Sequence, residues 1–207
     1  MLVLAIAALA ALFYLLLARR RIFVWAGSEA LRKQAETMRL VRAPDGWRDP
    51  ATAEWLAAPL RAKGFVDLGV YEVTPIPDAR LGVLLNEQQR VAAFLCENPK
   101  ALAVTLELNV RYDDGNTTAL VNHPDNGVPP PPFFHVIYAE PDTPSDALYE
   151  RLLRERPAFG IKSISAESVI PEYEAAWARM VRWQRERGLT PEEVARIAVL
   201  RRRQSKA

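Results

Sequence analysis

Between Ala101 and Tyr112 apolar side chains recur at every second position. Leu102, Val104, Leu106, Leu108, Val110 and Tyr112 alternate with Ala103, Thr105, Glu107, Asn109 and Arg111. Period two is the repeat of a β-strand, whose successive side chains point to opposite faces. The chain must therefore build a sheet with one face on a core, and the pattern turns Thr105, Glu107, Asn109 and Arg111 toward water. Asp113-Asp114-Gly115-Asn116 follows as a tight connection, since Gly and Asn tolerate the positive φ of hairpin turns. Residues Thr117 to Asn122 are predicted to return antiparallel.

Strands are further expected over Val66–Thr74, Leu81–Leu85, Arg90–Glu97 and Phe133–Ala139. Four consecutive prolines, Pro129 to Pro132, precede the last of these; proline cannot donate a ladder bond and favours extended polyproline geometry. Helix signals lie outside the strand cluster. Glu29 to Val41 reads as a polar helix. Asp49 offers an N-cap and Pro50 a preset first turn, with Gly64 as a stop. Thr143 or Ser145 can cap a helix to about Arg156, and a long helix ends at Gly188. Thr190-Pro191-Glu192-Glu193 is a capping box. Strands grouped by hairpins and flanked by helices predict an α+β domain with a mainly antiparallel sheet of about six strands and helices packed on one face.

The amino end carries a different signal. Leu2 to Ala18 is apolar without charge, proline or glycine, and Arg19, Arg20 and Arg21 end it. At about 1.5 Å per residue the run would measure roughly 26 Å, the short end of a bilayer span. Trp25 would suit the membrane interface. No basic residue precedes the run, which argues against a signal peptide. The expectation is one N-terminal transmembrane helix in the inner membrane, amino terminus outside and the remainder cytoplasmic, with the lipid bilayer as first partner. The divisions read as 1–21 anchor, 22–64 juxtamembrane helical segment, 65–188 α+β domain and 189–207 C-terminal helix with a basic tail. The layout resembles single-pass bacterial proteins with a small cytoplasmic sheet domain; the hairpin residues Asp114, Gly115, Thr117 and Thr118 carry that likeness and transfer no site.

Half of the 207 residues are apolar and a quarter are charged, which excludes a disordered chain. A single cysteine, Cys96, excludes an internal disulfide. Net charge is +2 but unevenly spread. Residues 1–65 carry 10 basic and 5 acidic side chains, residues 66–150 carry 4 and 13, and residues 151–207 carry 13 and 7. An acidic centre speaks against nucleic acid as a partner.

No GxSxG, GxGxxG or GxxxxGK[ST] occurs, so the usual hydrolase, dinucleotide and P-loop signatures are absent. His123, with Asp113 or Asp125, is the candidate catalytic group. Its more ordinary reading is a loop histidine, and that of His135 a sheet residue. Their spacing matches no metal-ligand pattern, so neither a metal nor another cofactor is expected. Cys96 continues an apolar strand face and reads as a small buried hydrophobe. Pro129 and Pro130 with Phe133 and Phe134 could present a rigid edge to a protein partner, though a stiff connection is the commoner use of such prolines. The functional expectation is a membrane-anchored, non-enzymatic domain that binds a protein partner or small ligand at the inner membrane. The alternative is a membrane-tethered, hydrolase-like enzyme using His123.

Overall fold

The computed structural model describes residues 35–98, 103–125 and 127–204. Among them are seven strands and four helices: β1 (Arg39–Arg42), α1 (Pro50–Ala62), β2 (Val66–Thr74), β3 (Arg80–Asn86), β4 (Val91–Asn98), β5 (Ala103–Arg111), β6 (Thr117–Val121), β7 (Phe134–Tyr138), α2 (Ser145–Glu155), α3 (Val169–Arg187) and α4 (Pro191–Gln204). The chain divides into two compact units. One holds 36–125 and 130–179, and so the whole sheet. The other, among the described residues, holds Ala35, 127–129 and 180–204.

The strands form one sheet in sequence order, β1 to β7. Each pairs antiparallel with the next, except that β7 runs parallel to β6. A parallel neighbour needs a connection that carries the chain back along the strand. The segment between Asn122 and Phe133, with its prolines, does this. Its end is fixed by Phe134 N–H on the Pro131 carbonyl at 2.9 Å and Thr117 N–H on the Phe133 carbonyl at 3.0 Å.

Both faces of the sheet are buried, which corrects the expectation of about six strands with helices on one face. On the first face Leu84, Ala93, Leu95, Leu106, Leu108 and Leu120 pack with Leu56 and Leu60 of α1 and Leu148 and Leu152 of α2. On the second, Leu81, Val83, Leu85 and Phe94 pack with Val169, Ile170 and Tyr173 of α3. The physical reason is in β3 and β4. Their runs Leu81–Leu85 and Val91–Cys96 are apolar on both sides of the pleat, which water cannot satisfy on either. Arg39, Leu40 and Val41, expected at the end of a polar helix, instead belong with Arg42 to the edge strand β1. Leu40 packs on the second face, and its N–H is capped by Glu174 Oε1 at 2.8 Å.

Among the described residues no helix is long and apolar enough to cross a membrane. The longest, α3, carries Glu172, Glu174, Arg179, Arg182, Arg185, Glu186 and Arg187, a load that hydrocarbon does not accept. The single-pass, inner-membrane expectation is corrected accordingly. Leu2–Ala18, Arg19, Arg20, Arg21 and Trp25, on which it rested, lie outside the described residues.

Candidate functional site

β5 is bordered by β4 and β6, and one of its faces is a polar row: Thr105, Glu107, Asn109 and Arg111. Sequence alternation turned this row toward water. In the structure Asn109 is 6% exposed, and the Arg111 side chain 17%. The reason is α3, which lies over this face because Phe94, next to Glu107 in the ladder, needs an apolar cover. The Phe94 and Tyr173 rings meet at 4.3 Å.

Three links tie the row together. Asn109 Nδ2 donates to Glu107 Oε1 at 2.8 Å. Arg111 Nη1 donates to Glu172 Oε2 at 3.4 Å, and Lys162 Nζ pairs with Glu172 Oε1 at 3.0 Å. Asn109 Oδ1 is buried without a hydrogen-bond partner among the described residues. Beside it lies a small cavity of about 10 Å3.

Burial shapes the acid–base character here. It pushes the Glu107 carboxyl above its ordinary value, against the pull of Asn109, His123 and Arg111. It raises the Tyr173 phenol well above its usual range, helped by Glu107 and Cys96. The Cys96 thiol is pushed up to about 11 by burial and then by the charges of Glu107 and Glu97. A thiol held protonated is a poor nucleophile.

The sequence candidates for catalysis do not converge. His123 Nδ1 sits 3.1 Å from the neighbouring Pro124 carbonyl, and its ring meets Tyr138 edge-on at 6.3 Å. Asp125 Oδ1 accepts from the Tyr138 hydroxyl at 3.5 Å. Asp113 is in the β5–β6 turn, at the other end of β6 from His123; five strand residues separate the two ends, about 16 Å. There Asp114 binds both the backbone N–H and the side-chain amide of Asn116. Asn122 is structural: Oδ1 accepts the Leu106 N–H at 2.6 Å and Nδ2 donates to the Pro141 carbonyl at 3.3 Å. Among the described residues no three His, Cys, Asp or Glu side chains are grouped to hold a metal ion.

The proline segment carries its own packing. Arg179 lies 3.7 Å over the Phe133 ring and donates to the Gly115 carbonyl at 2.8 Å. Phe133 and Phe134 are half-buried and Pro130 is exposed. Pro129 belongs to the other compact unit.

A larger concavity lies at the β2–β3 turn. It is a groove of about 330 Å3 formed by Thr74 to Ala79 with Arg48, Glu72 and Arg80. Its charged walls are held in place. Arg48 pairs with Asp78, and Arg80 donates to the Gly46 carbonyl. Behind them Glu97 accepts the backbone N–H groups of Arg48 at 3.1 Å and Asp49 at 2.7 Å. Sequence reasoning named neither this groove nor the β5 row. The available signal for the row was β4, whose two apolar faces require a cover on the side that β5 fills with polar groups.

No family model, curated protein or solved structure matches this chain.

Proposed function

We propose that this chain is a binding domain, without a catalytic role, that takes a small polar ligand in the groove at the β2–β3 turn. The observation that carries this reading is a preformed concavity of about 330 Å3 with both charge signs on its walls. That volume lies at the lower end of small-ligand sites, which are usually preformed. Arg48 and Arg80 suit a carboxylate or phosphate on the ligand, and Asp78 and Glu72 suit a cationic or donor group. Dispersal of His123 from Asp113, and a Cys96 thiol kept protonated, support binding over catalysis.

The test is a set of small zwitterions and polar acids titrated into isotope-labelled protein and followed by amide NMR. The expected result is saturable shifts confined to 46–49 and 72–80, weakened about tenfold or more in Arg48→Ala, which removes a charge-assisted contact. Saturable shifts elsewhere, or none across the set, would remove the proposal.

A further inference from the structure

The four charged side chains around the β2–β3 groove are not equally available. Arg48 is paired with Asp78, and the Arg80 guanidinium donates to the Gly46 carbonyl. The exposed Glu72 side chain makes no hydrogen bond or ion pair among the described residues. Its ladder partners are Arg80 on β3 and Val41 on β1. Arg80 turns to Gly46 and the Val41 side chain has nothing to donate, so neither neighbour competes for the carboxylate. The turn itself is poor in donors. Pro75 and Pro77 have no N–H. The N–H groups of Val73, Ile76 and Ala79 are spent on the Ala79, Val73 and Ile76 carbonyls at 3.2, 2.8 and 3.3 Å. Ile76 is 39% exposed, and Pro75 and Pro77 are exposed as well, which gives the groove an apolar side.

We infer that the groove, taken as the ligand site proposed above, selects an organic cation: a primary alkylammonium or alkylguanidinium whose head is held by Glu72 and whose stem lies on Ile76, Pro75 and Pro77. A carboxylate on a ligand has to share Arg48 with Asp78 and Arg80 with Gly46. A cationic head meets a carboxylate that has no competitor. Hydrogen bonds between such ionised groups are roughly twice as strong as neutral ones. A turn whose N–H groups are absent or spent offers an anion little in exchange. The alkyl stem adds apolar contact, which counts in proportion to the area removed from water. One free carboxylate suits an organic head better than a divalent metal ion, which takes several oxygens. Among the described residues no three His, Cys, Asp or Glu side chains are grouped to supply them.

Probes of one chain length separate head from stem: butylamine, 4-aminobutyrate, butyrate and butanol. Each is titrated at neutral pH and constant ionic strength into the intact isotope-labelled chain and followed by amide NMR. Butylamine and 4-aminobutyrate should shift amides between 72 and 80 saturably. Butyrate and butanol should bind about fivefold more weakly or worse, the scale of one charge-assisted contact near a surface. Glu72→Gln keeps the shape of an exposed side chain and should bring butylamine to the level of butanol, with butanol unchanged. Ile76→Ser should weaken butylamine and butanol alike. Butyrate binding as tightly as butylamine, or butylamine binding unaltered in Glu72→Gln, overturns the inference and leaves the groove as a ligand site. No saturable shift between 72 and 80 from any of the four overturns it too, and the groove then stands or falls with the polar acids and zwitterions of the wider set.

Discussion

At the scale of single residues, three positions show how closely this sheet constrains its side chains. Gly82 on β3 faces the Trp47 ring, and a Cβ built there would stand 2.2 Å from Trp47 Cζ2. Glycine is required because the indole occupies the space of a side chain. Gly82→Ala should cost about 1–3 kcal/mol, as overpacking generally does, read as a lower urea midpoint with altered tryptophan emission. Cys96 is half-buried and its thiol is held at about 11. It should stay unalkylated by iodoacetamide at mildly alkaline pH and react once urea unfolds the chain; rapid labelling of the folded protein would contradict the burial argument. Glu107 gives a pH dependence with a definite sign. Its folded pKa is raised, so the folded state holds the proton more tightly than the unfolded state does. The resulting stability is complete below the ordinary Glu value, about 4.3, and is lost as pH rises through the folded value. Glu107→Gln should flatten that decline and raise the urea midpoint at neutral pH; an undiminished decline in the variant would assign it to another group.

At the scale of elements, the starts of α1 and α4 were legible, while sheet edges and the start of α2 were not: α2 follows Pro144 with no side-chain cap, and Ser145, expected as a cap, donates its hydroxyl to the Leu56 carbonyl instead. Asp49 caps α1 as its side chain predicts, accepting the Thr52 N–H at 3.1 Å. Thr190 and Glu193 form the reciprocal capping box, with Thr190 N–H on Glu193 Oε2 and Glu193 N–H on Thr190 Oγ1. These are local contacts, and local residues specify them. The start of α1 also has a distant anchor that no local pattern shows. Glu97 at the end of β4 takes the Arg48 and Asp49 N–H groups. Glu97→Ala should leave both donors without that acceptor and cost about 1–3 kcal/mol. Glu97→Gln, which keeps one oxygen, should cost less. Equal losses in calorimetry would mean that the carboxylate acts through charge instead. β1 escaped notice because Arg39-Leu40-Val41-Arg42 is short and half polar, as edge strands commonly are. The parallel course of β7 depends on where its connection runs, which a strand's own pattern does not encode. The β5 row escaped for a related reason. Alternation separates two faces but does not say whether the polar one meets water or a helix.

At the scale of the whole sheet, burial on both faces decides where stability resides. β3 and β4 contribute to both clusters, through Leu84, Ala93 and Leu95 on one side and Leu81, Val83, Leu85 and Phe94 on the other. Opening either strand exposes apolar surface on two faces and breaks ladders with two neighbours. β1 has one neighbour in the ladder, and Val41 there is 57% exposed. β7 has one neighbour as well, and its pairing is parallel, which is slightly weaker per residue. Native-state hydrogen exchange should therefore rank the sheet by position. Amides of β3, β4 and β5 should exchange only through global unfolding, while those of β1 and β7 exchange through local opening at lower free energy. Small additions of denaturant separate the two classes, because global opening exposes far more surface and so responds more steeply. Equal denaturant dependence across all seven strands would show that the sheet opens as one unit. The two-faced core would then set the stability of the edges as well as the centre.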